Sequence, residues 1–273
     1  MSTVRPPAVA GMFYPGEATA LRQAVASCFA QAIALPPETA LRPKALLVPH
    51  AGYIYSGPIA ATAYQLLSPL RKTIRRVVLL GPVHRVWVPG LALPGADAFA
   101  TPLGEIPIDQ AAIGAIADLP QVSLSPQAHA QEHSLEVQLP FLQTVLDNFS
   151  LVPLAVGGAS AEAVAEVLER LWGDMETLIV VSSDLSHFLP YDTARGVDHA
   201  TARSILALDG RLAGEQACGA TPLNGLLLAA RRHGVTAHQL DVRNSGDTAG
   251  DRDRVVGYGA FAFTEPCLEA SHA

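Results

Sequence analysis

The tightest constraint on this chain is a set of four short aliphatic runs, KALLVP, RRVVLLG, SLVPLAVGG and ETLIVVSS. A strand with one face in water alternates apolar and polar residues, so a continuous apolar run of this length implies burial on both faces. Segments with helical period separate the runs, at residues 17–33, 58–68, 134–148, 160–172, 192–208 and 221–233. Strands alternating with helices in this way predict an α/β fold with a mostly parallel central sheet flanked by helices. The final pair, AHQLDVRNSGD and RVVGYGAFAF, reads as two antiparallel strands around a Gly/Asp turn, at an edge. Residues 88–107, VPGLALPGADAFATPLGEIP, are apolar between turn residues and read as a long packed loop or an irregular hairpin. No linker, repeat or low-complexity segment interrupts the pattern, so residues 1–273 are read as a single domain. A hydrophobic content of 49% is ample for its core.

Charge narrows the functional classes. The formal net charge is −7 and the basic residues are scattered in ones and twos, which argues against nucleic acid as a partner. No aliphatic run approaches the roughly 20 residues needed to span a bilayer, and MSTVRPPAVAGMFYPG has no apolar signal region, so the expectation is a soluble, cytoplasmic protein without a membrane partner. The three cysteines, Cys28, Cys218 and Cys267, are too few for a disulfide framework and fit a reducing compartment.

Ligands of open α/β sheets bind beyond the carboxyl ends of the strands, where loops converge. Three strand ends here share one design: ALLVPHAGY delivers His50, VVLLGPVHR delivers His84, and LIVVSSDLSH delivers Asp184 and His187. A single histidine past a strand is usually a surface residue or a satisfied cap. Three in one context, on neighbouring strands, would converge on one crevice and form a site for Fe(II), zinc or copper. Gly52, Gly57, Gly81, Ser182 and Ser183 would leave the backbone room there. Tyr53 and Tyr55 are pocket candidates with phenolic hydroxyls to donate, although aromatics in such a core also simply pack.

Cys218, in GEQACGATPLNGLLLAA, precedes an apolar helix, and a thiol near a helix N-terminus is expected to have a lowered pKa and to ligate metal well. A small cysteine filling a core gap is the competing reading. QAHAQEHSLEVQLPF contains His129, Glu132 and His133 in the order H-x-x-E-H of inverted zincin peptidases, which requires all three on one helix. The strong apolar period starts only at Leu135, so a helix is expected from about Ser134. That places His129 in a loop, Glu132 and His133 at the helix entrance facing the crevice, and Glu136 in the first turn, where the helix dipole favours it. Asp247, Asp251 and Asp253 lack the spacing of a calcium loop, and no phosphate-binding or serine-hydrolase motif is present.

Taken together, AGMFYPG, PHAGYIYSG, GPVHR, TPLGEIPID, EHSLEVQLPFL, VSSDLSHF, ACG before a helix, SGDTAGD and VVGYGAF resemble the Memo family, including the prokaryotic AmmeMemoRadiSam system protein B, nearly end to end. The resemblance implies a fold like that of class III extradiol ring-cleaving dioxygenases, with a metal site at the end of the sheet. It places the metal ligands on His50, His84 and Cys218, an acid/base role on His187 with Asp184 orienting it, and His133 with Glu132 in the pocket. The metal it implies is Fe(II), with copper or zinc as alternatives, and the activity a dioxygenase-like oxidoreductase reaction. A cysteine stands where the dioxygenases carry a carboxylate, which favours softer or redox-tuned metals. The family also implies other roles: a non-catalytic module binding a small molecule or peptide, or an accessory component beside AMMECR-type and radical-SAM proteins.

Overall fold

The four aliphatic runs fold as the centre of one sheet. In the computed structural model residues 3–36 and 41–266 are described; Cys267 lies outside them. The strands are β1 (Val4–Arg5), β2 (Ala45–Val48), β3 (Arg76–Pro82), β4 (Leu91–Leu93), β5 (Ala98–Thr101), β6 (Gly104–Pro107), β7 (Val122–Leu124), β8 (Ser150–Val156), β9 (Thr177–Ser182), β10 (His187–Leu189), β11 (Thr236–Asn244) and β12 (Val255–Thr264). The α-helices are α1 (Ala18–Ala30), α2 (Tyr53–Tyr64), α3 (Gln110–Gly114), α4 (Pro126–Ala130), α5 (Leu139–Val145), α6 (Ala161–Leu171), α7 (Tyr191–Leu206) and α8 (Ala220–Arg232). None of them, among the described residues, is long and apolar enough to cross a membrane.

Nine strands form the central sheet in the order β10-β12-β2-β9-β3-β8-β4-β7, with β11 also paired to β12. The central strands β2, β9, β3 and β8 are parallel, as their unbroken apolar sequences require. Antiparallel pairs flank them: β12 with β2, β10 and β11 on one side, and β4 with β8 on the other. Alternate residues of each central strand feed two separate cores. Leu46, Val48, Val77 and Leu79 pack on one face with α1, α2 and α5, while Leu47, Val78, Leu80 and Val181 pack on the other with α6, α7 and α8. The segment 88–107 is the irregular hairpin, with β5 and β6 antiparallel, and its beginning adds β4 to the main sheet.

Two helices differ from the sequence expectation. The helix anticipated from residue 58 begins at Tyr53 and ends in a 3-10 segment, Gln65–Leu70, because its first turn is fixed from outside. The Tyr53 N–H donates to the Phe13 carbonyl at 2.9 Å and the Ser56 hydroxyl to the Ala51 carbonyl at 2.9 Å, so Pro58 sits inside the helix rather than at its start. The helix anticipated over 134–148 is shorter and divided, a 3-10 turn Glu136–Gln138 leading into α5. Gly57 leaves room for α1 rather than for the crevice, since a Cβ there would stand 2.4 Å from Cys28 Sγ.

Candidate metal centre

His50, Asp184 and His84 leave the ends of β2, β9 and β3, which are adjacent in the sheet, so the three strand ends do meet. Around them opens a crevice of about 510 Å³, lined also by His133, His187 and Tyr55. At its centre is a triad that could hold a metal ion. His50, His84 and His133 each offer a nitrogen, with all three atoms within 4.8 Å of one another, and the ring centroids stand 4.5 to 5.3 Å apart.

The ring orientation of His50 follows from a chain of forced hydrogen bonds. The Pro49 carbonyl can only accept, so the Gln138 amide nitrogen faces it at 2.9 Å and also donates to Ser182 Oγ at 2.8 Å. Ser182 spends its single proton on the Ser134 carbonyl at 2.6 Å. Toward His50 Nδ1, 3.0 Å away, that hydroxyl therefore accepts, and His50 is protonated on Nδ1 with its Nε2 lone pair turned inward. Only 2% of His50 is exposed; burial, and then the neighbouring His133 and His84, push its pKa well below 6.5, so the ring is neutral.

Glu132 does the same for the other two rings. Its buried carboxylate accepts the backbone N–H of His84 at 2.5 Å and His84 Nδ1 at 2.9 Å, together with the backbone N–H groups of His133 and Ser134 at 2.9 Å each. Burial alone would raise its pKa, but the His84 hydrogen bond and charge and these backbone donors win and hold it at about 2. His133 Nδ1 faces the same oxygen at 3.3 Å, and burial with the nearby His84 lowers the His133 pKa to about 4. The His133 ring rests on Phe13, centroids 4.6 Å apart, so the N-terminal segment forms one wall.

Cys218 stands beside this triad, its Sγ 3.3 Å from His50 Nε2. The lowered thiol pKa anticipated from the helix terminus is not found. Cys218 does precede Gly219, the N-cap of α8, but burial and the Asp184 carboxylate push the thiol up to about 12. Desolvation outweighs the helix dipole here.

Asp184 holds His50 rather than His187. It accepts the His50 backbone N–H at 2.7 Å and that of Ala51. His187 is instead fixed by donating from Nδ1 to the Leu185 carbonyl at 2.9 Å, which leaves its Nε2 toward the crevice; burial lowers its pKa. Burial raises Asp184 from 3.8 to about 7 against those backbone donors. An acid whose folded pKa is raised contributes stability below its unfolded value and loses it as pH rises through the folded one. Asp184 alone therefore favours the fold at pH 5 over pH 8, while the buried His50, His129 and His133, whose folded values are lowered, favour it at pH 8 and outnumber it. Chelator-treated protein is expected to melt lower near pH 5 than near pH 8, and Asp184→Asn to steepen that loss. A variant with the wild-type slope would show that Asp184 does not titrate in this range.

Two further sequence expectations are corrected. Tyr53 is turned into the core, its hydroxyl donating to the Val137 carbonyl at 2.8 Å and its ring against Phe141, so only Tyr55 lines the crevice. His129 lies on the short helix α4 rather than in a loop, 1% exposed, with Nε2 on the Ala92 carbonyl at 2.7 Å. It takes no part in the triad, so His129 and His133 do not form the helix-borne pair that the peptidase motif requires. The residue that sequence reasoning underrated is His133, treated only as a pocket residue. Its proximity to Glu132 was the available signal.

The sequence matches the family described as Memo-like protein over residues 5–262. Relatives described as MEMO1 family proteins include one from Sulfurisphaera tokodaii, 33% identical over 283 residues, covering 95% of this chain and 99% of that protein. Those from Ignicoccus hospitalis and Aquifex aeolicus are each 36% identical, covering 96% and 95% of this chain and 99% of their own lengths. The crystal structure of an uncharacterized protein, JW3007, from Escherichia coli K12 aligns with a TM-score of 0.47 and 15% identity, over 78% of this chain and 98% of that one. Matched nearly from end to end by the family pattern and by relatives of its own length, the chain belongs to the Memo family.

Proposed function

We propose that the crevice is a mononuclear metal centre for redox chemistry on a small molecule, with His50, His84 and Cys218 as ligands and His133 as a further imidazole donor. The observation that carries this reading is the common orientation of the three rings: each Nδ1 faces a fixed oxygen, which leaves each Nε2 for an ion. The donor chemistry fits. Neutral imidazoles with a thiol suit Fe(II), copper or zinc and not the hard cations. The 3.3 Å between Cys218 Sγ and His50 Nε2 is close to what a sulfur about 2.3 Å and a nitrogen about 2.0–2.1 Å from one ion subtend.

A bound Fe(II) or copper ion supplies electron transfer and polarises an attached oxygen, and it lowers the pKa of a ligating thiol. The remaining steps belong to the chain. His187, neutral and fixed through Nδ1, presents Nε2 to take a proton from a substrate hydroxyl and return it. Asp184 keeps His50 in register from behind. Metal analysis after anaerobic purification tests the reading. About one Fe or Cu per chain is expected for the wild type, with loss in His50→Ala and weakened retention in Cys218→Ser. Metal-free wild type under reducing, iron-replete conditions would sink it.

A second reading, recognition of a peptide without turnover, draws on Phe188, an aromatic ring at the crevice mouth that is 59% exposed. An accessory role beside AMMECR-type and radical-SAM proteins rests on the family resemblance alone. A pull-down that recovers such a partner, combined with no oxygen uptake on phenolic compounds, would favour these over catalysis.

A further inference from the structure

At the mouth of the crevice stands a cation with no ion-pair partner among the described residues. Among the described residues lining the crevice, Arg254 is the sole lysine or arginine. Its guanidinium makes no hydrogen bond or ion pair among the described residues; its contact is with the Phe188 ring, whose centroid lies 5.1 Å from the guanidinium carbon. Asp251, also on the lining, is turned to the backbone instead. Its carboxylate accepts the N–H groups of Asp253 at 3.0 Å and of Arg254 at 3.4 Å, holding the turn that presents the arginine. The chain as a whole carries a formal charge of −7, so an anion approaching it needs a local attraction to enter.

Phe188 is presented at a cost. Its φ is 59°, the left-handed region, where a bulky side chain costs about 1–3 kcal/mol. The cause is a bulge: opposite β12, His187 pairs with Val256 and Leu189 with Val255, so Phe188 is the unpaired residue between them. A bulge redirects a side chain, and this one sends an exposed aromatic ring to the crevice mouth beneath Arg254. A guanidinium held over an aromatic ring still has N–H donors to offer, and these pair with a carboxylate through two parallel bonds.

We propose that Arg254, set over the Phe188 ring, is a carboxylate-recognition arm, and that the small molecule admitted to the centre carries a carboxylate on a planar, largely apolar frame. Phe13, Tyr55 and Tyr258 supply the aromatic walls for that frame. The inference rests on the reading of the crevice as a small-molecule site and names the substrate class. Arg254 sets specificity and takes no part in proton or electron transfer.

The test is calorimetric titration of the full chain, stripped of metal by chelation, with 4-hydroxybenzoate and with its uncharged analogue 4-hydroxybenzamide. Saturable binding of the acid is expected, roughly 10–100-fold tighter than the amide. Arg254→Ala should erase that preference with an unchanged melting temperature, and Arg254→Lys should retain part of it, since it keeps the charge and loses the fork. Equal affinity for acid and amide, an unaffected Arg254→Ala variant, or no saturable binding at millimolar acid would each overturn the proposal. The two readings fail separately: Arg254→Ala should keep wild-type metal content, and His50→Ala, which loses the metal, should keep the preference for the acid.

Discussion

Glu136→Ala is expected to destabilise the fold by about 3–5 kcal/mol, the range for removing one partner of a buried ion pair. Arg5 and Glu136 are 6% and 0% exposed and meet at 2.5 Å. The carboxylate also accepts the N–H groups of Ala8 at 2.8 Å and Val9 at 3.0 Å and the Tyr14 hydroxyl at 2.6 Å. Alanine would strand three donors and the Arg5 charge together, and an unsatisfied buried group costs more than the bond it loses. Arg5 also reaches the carbonyls of His129 and Glu132, so the same network pins the loop that carries His133. Urea denaturation gives the loss. A double-mutant cycle with Arg5→Met should show strong coupling, the double variant losing less than the sum of the single ones. Additive losses would mean the pair does not act as a unit.

Glu132→Gln should leave the fold largely in place and weaken metal retention by about 10–100-fold, as expected when the group orienting a ligating histidine is replaced. The two carboxylate oxygens serve four donors, and the amide has one oxygen. Its NH2 must face either the His84 backbone N–H or the cluster of His84 Nδ1 with the His133 and Ser134 N–H groups, donor against donor. A stability loss on the order of 1–3 kcal/mol accompanies that conflict. Competition titration with a chelator measures the affinity. Nitrogen-15 spectra supply a separate readout: the amide oxygen should face the larger cluster, so the His84 backbone N–H loses its acceptor and its signal should shift while the Nδ1–H tautomer stays. An unmoved His84 amide signal with unchanged affinity would show that Glu132 is dispensable to the site.

Periodicity identified the four central strands because doubly buried strands leave an unambiguous apolar signature, and the rule that sites lie at strand ends then led to His50, His84, Asp184 and His187. What escaped depends on contacts distant in sequence. Arg5 and Glu136 are 131 residues apart, so a glutamate that sits well in a helical first turn gave no sign of being the anchor of the N-terminal segment. The Cys218 thiol was misjudged because the helix terminus is local and visible, while the burial that overrides it comes from the packed crevice. Tyr53 and Tyr55 look equivalent on the page and diverge because the early start of α2 turns one to the core and the other outward. Phe188 is the extreme case. Nothing in LSHFLP announces a left-handed phenylalanine; the bulge exists only once β10 has β12 to pair with.

That dependence on β12 sets an order of events during synthesis. His50, His84 and His133 all precede residue 255, yet β12 is the antiparallel neighbour of β2, with Phe261 opposite Leu47, and the partner on which β10 and His187 are hung. Tyr258, in β12, also supplies a wall of the crevice. Pairings between segments so far apart form late and slowly. A chain still growing on the ribosome thus has its three histidines before the strand that encloses them, so the crevice is complete only in the finished protein.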